Sequence, residues 1–263
     1  MNIRGVLRRY AEAIADDHVA LLLSAGIDSA SILFALQDAG KKVTCYSFML
    51  DKRMSTDFEY ARKNARRFGA EFRAVLLPDD IPTLKKDLKE LAYLGARSKT
   101  DFECFWPMLH AYRAVEQRVV YSGMGADGHF CISKKGMIHY RDKIDEFRRM
   151  TFSKRGYSQQ ELHKEFAASL GKAAILPYLS QEMQDAVRGT TWVQANKPKQ
   201  KQLILDAYPK RFEKMRVMPH TNLQLGDSGI SDHFRKLLYT DWNTDRWRSP
   251  IGIYNALVAG RLR

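Results

Sequence analysis

The apolar run Val19-Ala20-Leu21-Leu22-Leu23 passes directly into Ser24-Ala25-Gly26-Ile27-Asp28-Ser29, and Ala30 to Leu36 is again apolar and helix-compatible. A buried strand that turns through a small, glycine-containing loop into a helix has one common use. It offers backbone N–H groups and hydroxyls to a phosphate, backed by the positive end of the helix dipole. Asp28 is the odd member, because a carboxylate repels phosphate unless a divalent cation lies between them. Strand, loop, acid and helix together read as a cradle for metal-bound pyrophosphate. The loop is not a Walker loop, since no GxxxxGK[ST] occurs in the chain.

A second loop of the same kind, Ser122-Gly123-Met124-Gly125-Ala126-Asp127-Gly128, follows the short apolar stretch Arg118-Val119-Val120-Tyr121. Hydrophobic patterning predicts strands near 18–24, 42–48, 70–77 and 118–122, with helices near 29–39, 56–68, 81–95 and 106–117. An amphipathic helix over 2–16 precedes them, with Ile3, Val6, Leu7, Tyr10 and Ile14 at helical spacing. Alternating strands and helices predict an α/β fold: a parallel, doubly wound sheet with helices on both faces. Both loops then lie at carboxyl ends of strands, where such sheets bind ligands. From about 141 the pattern is mostly helical, over 142–150, 159–170, 181–187 and 197–207. One domain is therefore expected over 1–263, with a nucleotide-binding core at about 17–140 and a helical extension at about 141–263.

The three cysteines, Cys45, Cys104 and Cys131, are isolated and form no CxxC pair. That argues against a structural zinc site and favours a reducing compartment. No apolar run reaches the roughly 18 residues of a membrane span, and Met1-Asn2-Ile3-Arg4-Gly5 lacks the apolar core of a signal peptide. The expectation is a cytoplasmic protein with no membrane partner. The net charge of +13 is spread through the chain, as in Arg62-Lys63-Asn64-Ala65-Arg66-Arg67 and Lys197-Pro198-Lys199-Gln200-Lys201. It attracts any anion, ATP and pyrophosphate included, and leaves nucleic acid open as a partner. No zinc finger, RRM-type aromatic motif or heptad repeat marks a dedicated nucleic-acid module.

Ser24 to Ser29 resembles the SGGxDS loop of the N-type ATP pyrophosphatases (the PP-loop enzymes), and Ser122 to Gly128 resembles the SGEGADE segment of the asparagine synthetase family. Further matches follow in order. Tyr46-Ser47-Phe48-Met49-Leu50 is similar to that family's second strand, and Glu59 to Arg62 with Phe68 to Ala70 to its next helix and turn. Leu176-Pro177-Tyr178-Leu179-Ser180 is similar to RxPFLD, and Lys201 to Ala207 to KxxLRxA, so the likeness spans roughly 18–215. The resemblance implies an adenine nucleotide alpha hydrolase-like fold that cleaves ATP to AMP and pyrophosphate. It places Mg²⁺ on Asp28 and Asp127, and nucleotide contacts at Leu22, Ser24, Ala25, Gly26, Asp28, Ser29, Ser47, Ser122 and Gly123. It gives Lys201 the catalytic role of reaching the phosphate and the reacting carbonyl.

The departures from that pattern carry as much information. Ala25 stands where the second loop glycine is usual, which is tolerable if its φ is negative. Met124 replaces the Glu of SGEGADE, and a thioether neither accepts a catalytic proton usefully nor binds Mg²⁺ well. Any general base must come from elsewhere, with Asp145, Glu146 and Glu161 as the downstream candidates. Gly128 replaces the final Glu. Only 23 residues precede the first loop and residue 2 is Asn, so no N-terminal glutaminase with its nucleophilic cysteine is expected in this chain.

The expected activity is ATP-dependent adenylation of a carboxylate followed by amide formation with ammonia or an amine, ammonia from a separate subunit included. Two alternatives stand beside it: adenylation-dependent modification of a nucleotide or nucleic-acid base, and a catalytically degenerate nucleotide-binding protein, the latter motivated by Met124. Among other residues, His129 is open to a phosphate contact or to packing, and His110 reads as structural. Arg97 and Lys99 read as a solvated loop, with an acceptor carboxylate as the alternative. Trp192, Trp242 and Trp247 read as core or lid packing.

Overall fold

The structure, a computed structural model, describes residues 2–50, 53–153, 159–216, 227–236, 238 and 249–261. Helix α1 (Ile3–Glu12) starts where the Asn2 side chain accepts the Gly5 N–H, and it buries Ile3, Val6, Leu7 and Ala11 at intervals of three and four. It ends short of the expected residue 16. Five strands follow: β1 (His18–Leu22), β2 (Lys42–Leu50), β3 (Glu71–Leu77), β4 (Val119–Ser122) and β5 (Ala173–Ile175). They form one parallel sheet in the order β3-β2-β1-β4-β5.

Alternation along the central strands feeds two cores. Val19, Leu21, Val119 and Tyr121 face one, while Ala20 and Val120 face the other. The first core is covered by α1, α2 (Ile27–Asp38), the Ala61 and Ala65 side of α3 (Thr56–Arg67), α9 (Gln181–Val187) and α11 (Gln202–Ala207). The second is covered by α4 (Ile81–Tyr93), α5 (Lys99–Ala114), α8 (Gln159–Ser169), α13 (Ile230–Lys236) and α14 (Pro250–Val258). Helices on both faces of a parallel sheet make this a doubly wound α/β fold, as expected.

Three expectations need correction. The region beyond 141 is mostly helical, but it also supplies an edge strand that was not expected, β5, paired with β4 through Val119↔Ala173 and Tyr121↔Ile175. Helix α5 starts at Lys99 rather than near 106, launched by a capping box between Ser98 and Asp101, and it carries Pro107 inside. The single helix expected over 197–207 is instead α10 (Trp192–Asn196), a loop, and α11. The remaining helices, α6 (Lys134–Tyr140), α7 (Ile144–Thr151) and α12 (Pro209–Phe212), join these elements. No helix among the described residues is long and apolar enough to cross a membrane.

Candidate active site

The strand order reverses at β1, which has β2 on one side and β4 on the other. At such a switch point the loops after the two strands diverge and leave a crevice at their carboxyl ends. Register places Leu22 in a row with Tyr46 and Ser122 at the mouth of the sheet, and Ser47 follows Tyr46 one residue further along β2. Ser47 and Ser122 are buried there.

The first loop is wound on itself. The Ser24 N–H donates to Ser29 Oγ (3.1 Å), the Gly26 N–H to Ser24 Oγ (3.1 Å), and the two hydroxyls lie 3.0 Å apart. Gly26 is the N-cap of α2 and offers no side-chain cap, which leaves the first-turn amides of Ile27, Asp28 and Ser29 without intrahelical acceptors. Ala25 is buried and is not among the left-handed residues, so its methyl is accommodated as expected. Its N–H donates to Asp57 Oδ1 at 2.9 Å. Asp57 lies in the first turn of α3, exposed to solvent yet closely surrounded by protein atoms. That enclosure pushes its carboxyl above the ordinary range; the Ala25 amide opposes the shift and Asp227 adds to it.

The second loop packs directly on the first. A Cβ on Gly123 would lie 2.9 Å from Ser29 N and 3.1 Å from the Asp28 carbonyl carbon, so glycine permits the approach. Gly125 has φ +90°, and a side chain there would strike Leu179. The turn Pro177–Leu179 staples both loops. The Tyr178 hydroxyl lies 2.7 Å from Ser31 Oγ, which donates to the Asp28 carbonyl at 2.6 Å, and His129 Nε2 lies 2.7 Å from the Tyr178 carbonyl.

Lys201 completes the site. Its Nζ lies 2.5 Å from Asp28 Oδ2 and also pairs with Asp127 Oδ1. The lysine side chain is 4 % exposed, against 20 % for Asp28 and 47 % for Asp127, so the ammonium sits beneath the two carboxylates. Burial alone would lower the Lys201 pKa, but Asp28 and Asp127 outweigh it and hold it above the ordinary lysine value. The backbone of Lys201 is left-handed, with φ 59° and ψ 38°. Such a conformation costs a non-glycine residue about 1–2 kcal/mol. Asn196 holds it there, accepting the Lys201 N–H at 3.1 Å and donating to the Phe130 carbonyl at 2.9 Å. The lysine is thereby tied to the second loop.

The structure thus gathers Ser24, Ala25, Gly26, Asp28, Ser29, Gly123, Asp127 and Lys201 into one cluster, with Leu22, Ser47 and Ser122 at its edge. Sequence reasoning missed Asp57 and Asn196. Asp57 acts through one hydrogen bond to a loop 32 residues away, and Asn196 joins Lys201 to Phe130, 66 residues upstream; neither contact leaves a local signature.

Other candidates separate from the cluster. His129 resolves to packing: it is fully buried and stacks on Phe152 at 4.4 Å, and burial pushes its pKa down to about 4. Asp145 is not available as a general base. Its oxygens accept from Arg148 (2.7 Å) and from the Gly189 N–H (2.9 Å), which outweigh the effect of burial and hold its carboxyl below the ordinary range. Glu146 and Glu161 are exposed on α7 and α8. His110 is structural, 2.7 Å from Asp87. Arg97 donates to the Ala92 carbonyl in the last turn of α4 and to the Ala96 carbonyl, and Lys99, the first residue of α5, is half-exposed with Glu103 at 3.7 Å. Trp192 is half-buried beneath the Arg141 guanidinium, 4.9 Å from its ring centre, whereas Trp242 and Trp247 lie outside the described residues.

The residues present fit a magnesium ion. The position between Asp28 and Asp127 already accommodates a cation, the Lys201 ammonium, and the donors are hard carboxylate oxygens. Among the described residues no third acidic, histidine or cysteine side chain joins them. A six-coordinate ion held there would draw its other ligands from phosphate and water, as Mg²⁺ commonly does.

A comparison with curated proteins finds no match. Among solved structures, the chain is similar to the U34-tRNA thiolase NcsA from Methanococcus maripaludis, described with its [4Fe-4S] cluster. The two share 15 % identity with a TM-score of 0.44, over 98 % of this chain and 76 % of the thiolase. The family model described as asparagine synthase matches residues 3–245, a stretch that holds both loops, the stapling turn and Lys201, and the chain belongs to that family.

Proposed function

We propose that this protein is an AMP-forming carbon–nitrogen ligase: it activates a carboxylate with ATP and passes the acyl group to ammonia or an amine. Family membership implies the use of ATP. The observation that carries the finer reading is the convergence of Asp28, Asp127 and Lys201 on one point beside a helix N-terminus. That arrangement suits the departure of a pyrophosphate, where most of the developing charge lies.

The first-turn amides of α2 and the hydroxyls of Ser24 and Ser29 bind the phosphates of the leaving group. Asp28 and Asp127 would hold Mg²⁺, which when bound neutralises the pyrophosphate and polarises its oxygens. Leu22, Ser47 and Ser122 line the nucleoside side of the crevice. In the first step an oxygen of the substrate carboxylate attacks the α-phosphorus, and the bond from that phosphorus to the bridging oxygen of pyrophosphate breaks. In the second step the nitrogen attacks the acyl carbon, AMP leaves with the carboxylate-derived oxygen, and the nitrogen gives its proton to water. Lys201 supports negative charge in both steps as a buried ammonium. Met124, half-buried in the second loop, supplies no base. The nitrogen source is a free amine, ammonia, or ammonia delivered by a separate subunit.

A second reading, adenylation of a nucleic-acid base, draws on Lys197 and Lys199, which are exposed in the loop that leads to Lys201. Screening carboxylic acids for AMP release, with and without ammonia, tests the first reading. Asp28→Ala should abolish the signal without unfolding the protein. Full turnover in that variant would reject the metal role. Retention of labelled RNA across a salt series tests the second reading.

A further inference from the structure

Lys201 occupies the place that the reading above gives to the metal. Its Nζ contacts Asp28 Oδ2 and Asp127 Oδ1 at once, from a side chain that is 4 % exposed. A divalent ion bridging the same two oxygens cannot share that position with an ammonium. The two carboxylates come from loops in backbone contact at Gly123, so they cannot separate to make room for both cations. The lysine backbone cannot retreat either. Its N–H is fixed by Asn196, and it is the N-cap of α11, whose Leu205 N–H donates to its carbonyl at 3.3 Å. Only the four-carbon stem is free to swing, and it moves from carboxylate to phosphate without backbone change.

We infer that Lys201 is a placeholder cation: it neutralises Asp28 and Asp127 until nucleotide arrives, then exchanges the carboxylates for the phosphates and hands their oxygens to the metal. Metal and nucleotide then enter together. A bare divalent ion must displace the ammonium with nothing to receive it, whereas a metal–triphosphate brings the ammonium its new partner. The coupling is reciprocal: whatever factor the nucleotide adds to metal affinity, the metal adds to nucleotide affinity. This inference rests on the assignment of Asp28 and Asp127 as metal ligands, and its test needs no turnover.

Mn²⁺ serves as the probe, titrated by electron paramagnetic resonance into wild-type protein, Lys201→Met and Lys201→Met/Asp28→Asn, each without nucleotide and with α,β-methylene ATP. Wild type should bind Mn²⁺ at least tenfold more tightly in the presence of the analogue. Lys201→Met should bind it at least tenfold more tightly than wild type without nucleotide, and Asp28→Asn should erase that gain. Lys201→Gln is read in the same way should the Met variant fail to fold, and Lys201→Arg, which keeps the charge, should behave as wild type. Equal nucleotide-free affinities in wild type and Lys201→Met overturn the placeholder role, while analogue-dependent Mn²⁺ binding in wild type would leave the metal assignment standing. Mn²⁺ binding indifferent to both Asp28 and the analogue would remove the metal assignment as well.

Discussion

Gly123→Ala tests the apposition of the two loops, on which the site depends. The added methyl would sit 2.9 Å from Ser29 N, 3.1 Å from the Asp28 carbonyl carbon and 3.2 Å from Asp28 Cβ. Ordinary carbon contacts begin near 3.4 Å, so the shortfall is about half an ångström. Two of the three obstructing atoms are backbone in the first turn of α2 and cannot rotate aside. The loops must part, and the span from Asp28 to Asp127 must widen by a comparable amount. A misplacement of 1 Å costs catalysis about 100-fold, so half of that predicts a fall of about tenfold in kcat/KM, or about 1.4 kcal/mol of transition-state stabilisation. The assay is ATP-dependent AMP release at saturating and limiting nucleotide, with the melting temperature as a check on folding. Gly40→Ala is the control: φ is +74° with nothing within 4 Å, so it should lower stability by about 1 kcal/mol and leave the rate unchanged. A folded Gly123→Ala enzyme working at the wild-type rate would refute the claim that the loops act as one unit.

Further outcomes follow from the same geometry. Asp57→Ala strips the acceptor from the Ala25 N–H and should raise the KM for ATP about tenfold more than it lowers kcat, with Asp57→Asn restoring most of the loss; equal effects from both variants would argue for charge rather than positioning. Arg148 is buried and donates to the His129 and Val187 carbonyls, Thr190 Oγ1 and Asp145, so Arg148→Met should cost about 3–5 kcal/mol in urea unfolding, and a loss under 1 kcal/mol would contradict its structural role. His129 and His163 are buried with pKa values pushed down by burial to about 4 and about 3, so the native state leaves them neutral while the unfolded chain protonates them below about 6.5. Their contribution to stability is complete above pH 6.5 and is lost as the pH falls, by about 2–3 kcal/mol for the pair between pH 7 and 5.5. Unfolding midpoints that stay flat across that range would show that these imidazoles are not buried neutral.

The parts of the fold that were legible in the sequence are those with local signals. Both loops follow apolar strands and contain the glycines their geometry needs, α2 is a nearly continuous apolar run, and α3 and α4 repeat their buried residues at helical spacing. Strand β5 was not legible, because three residues carry no period and its partner lies more than fifty positions upstream. The start of α5 was masked by Pro107, although Ser98 and Asp101 spell a capping box in the sequence. The break before α11 was hidden because Lys197 to Ala207 is helix-compatible in composition, whereas the left-handed turn at Lys201 is imposed from outside by Asn196. The residues that gather at the candidate site were readable from the two loops and the downstream lysine. Its charge balance was not, because the contact that sets it joins residues 173 positions apart.

That separation bears on how the protein comes into being. A ribosome that has delivered both loops has made two like charges that face each other with no neutralising group between them. The neutralising group arrives only after the edge strand, the stapling turn and the asparagine clamp have been synthesised and docked. Until Lys201 docks, those two carboxylates have only water and ions to offset their repulsion, so the last side chain to join the cluster is also the one that relieves it.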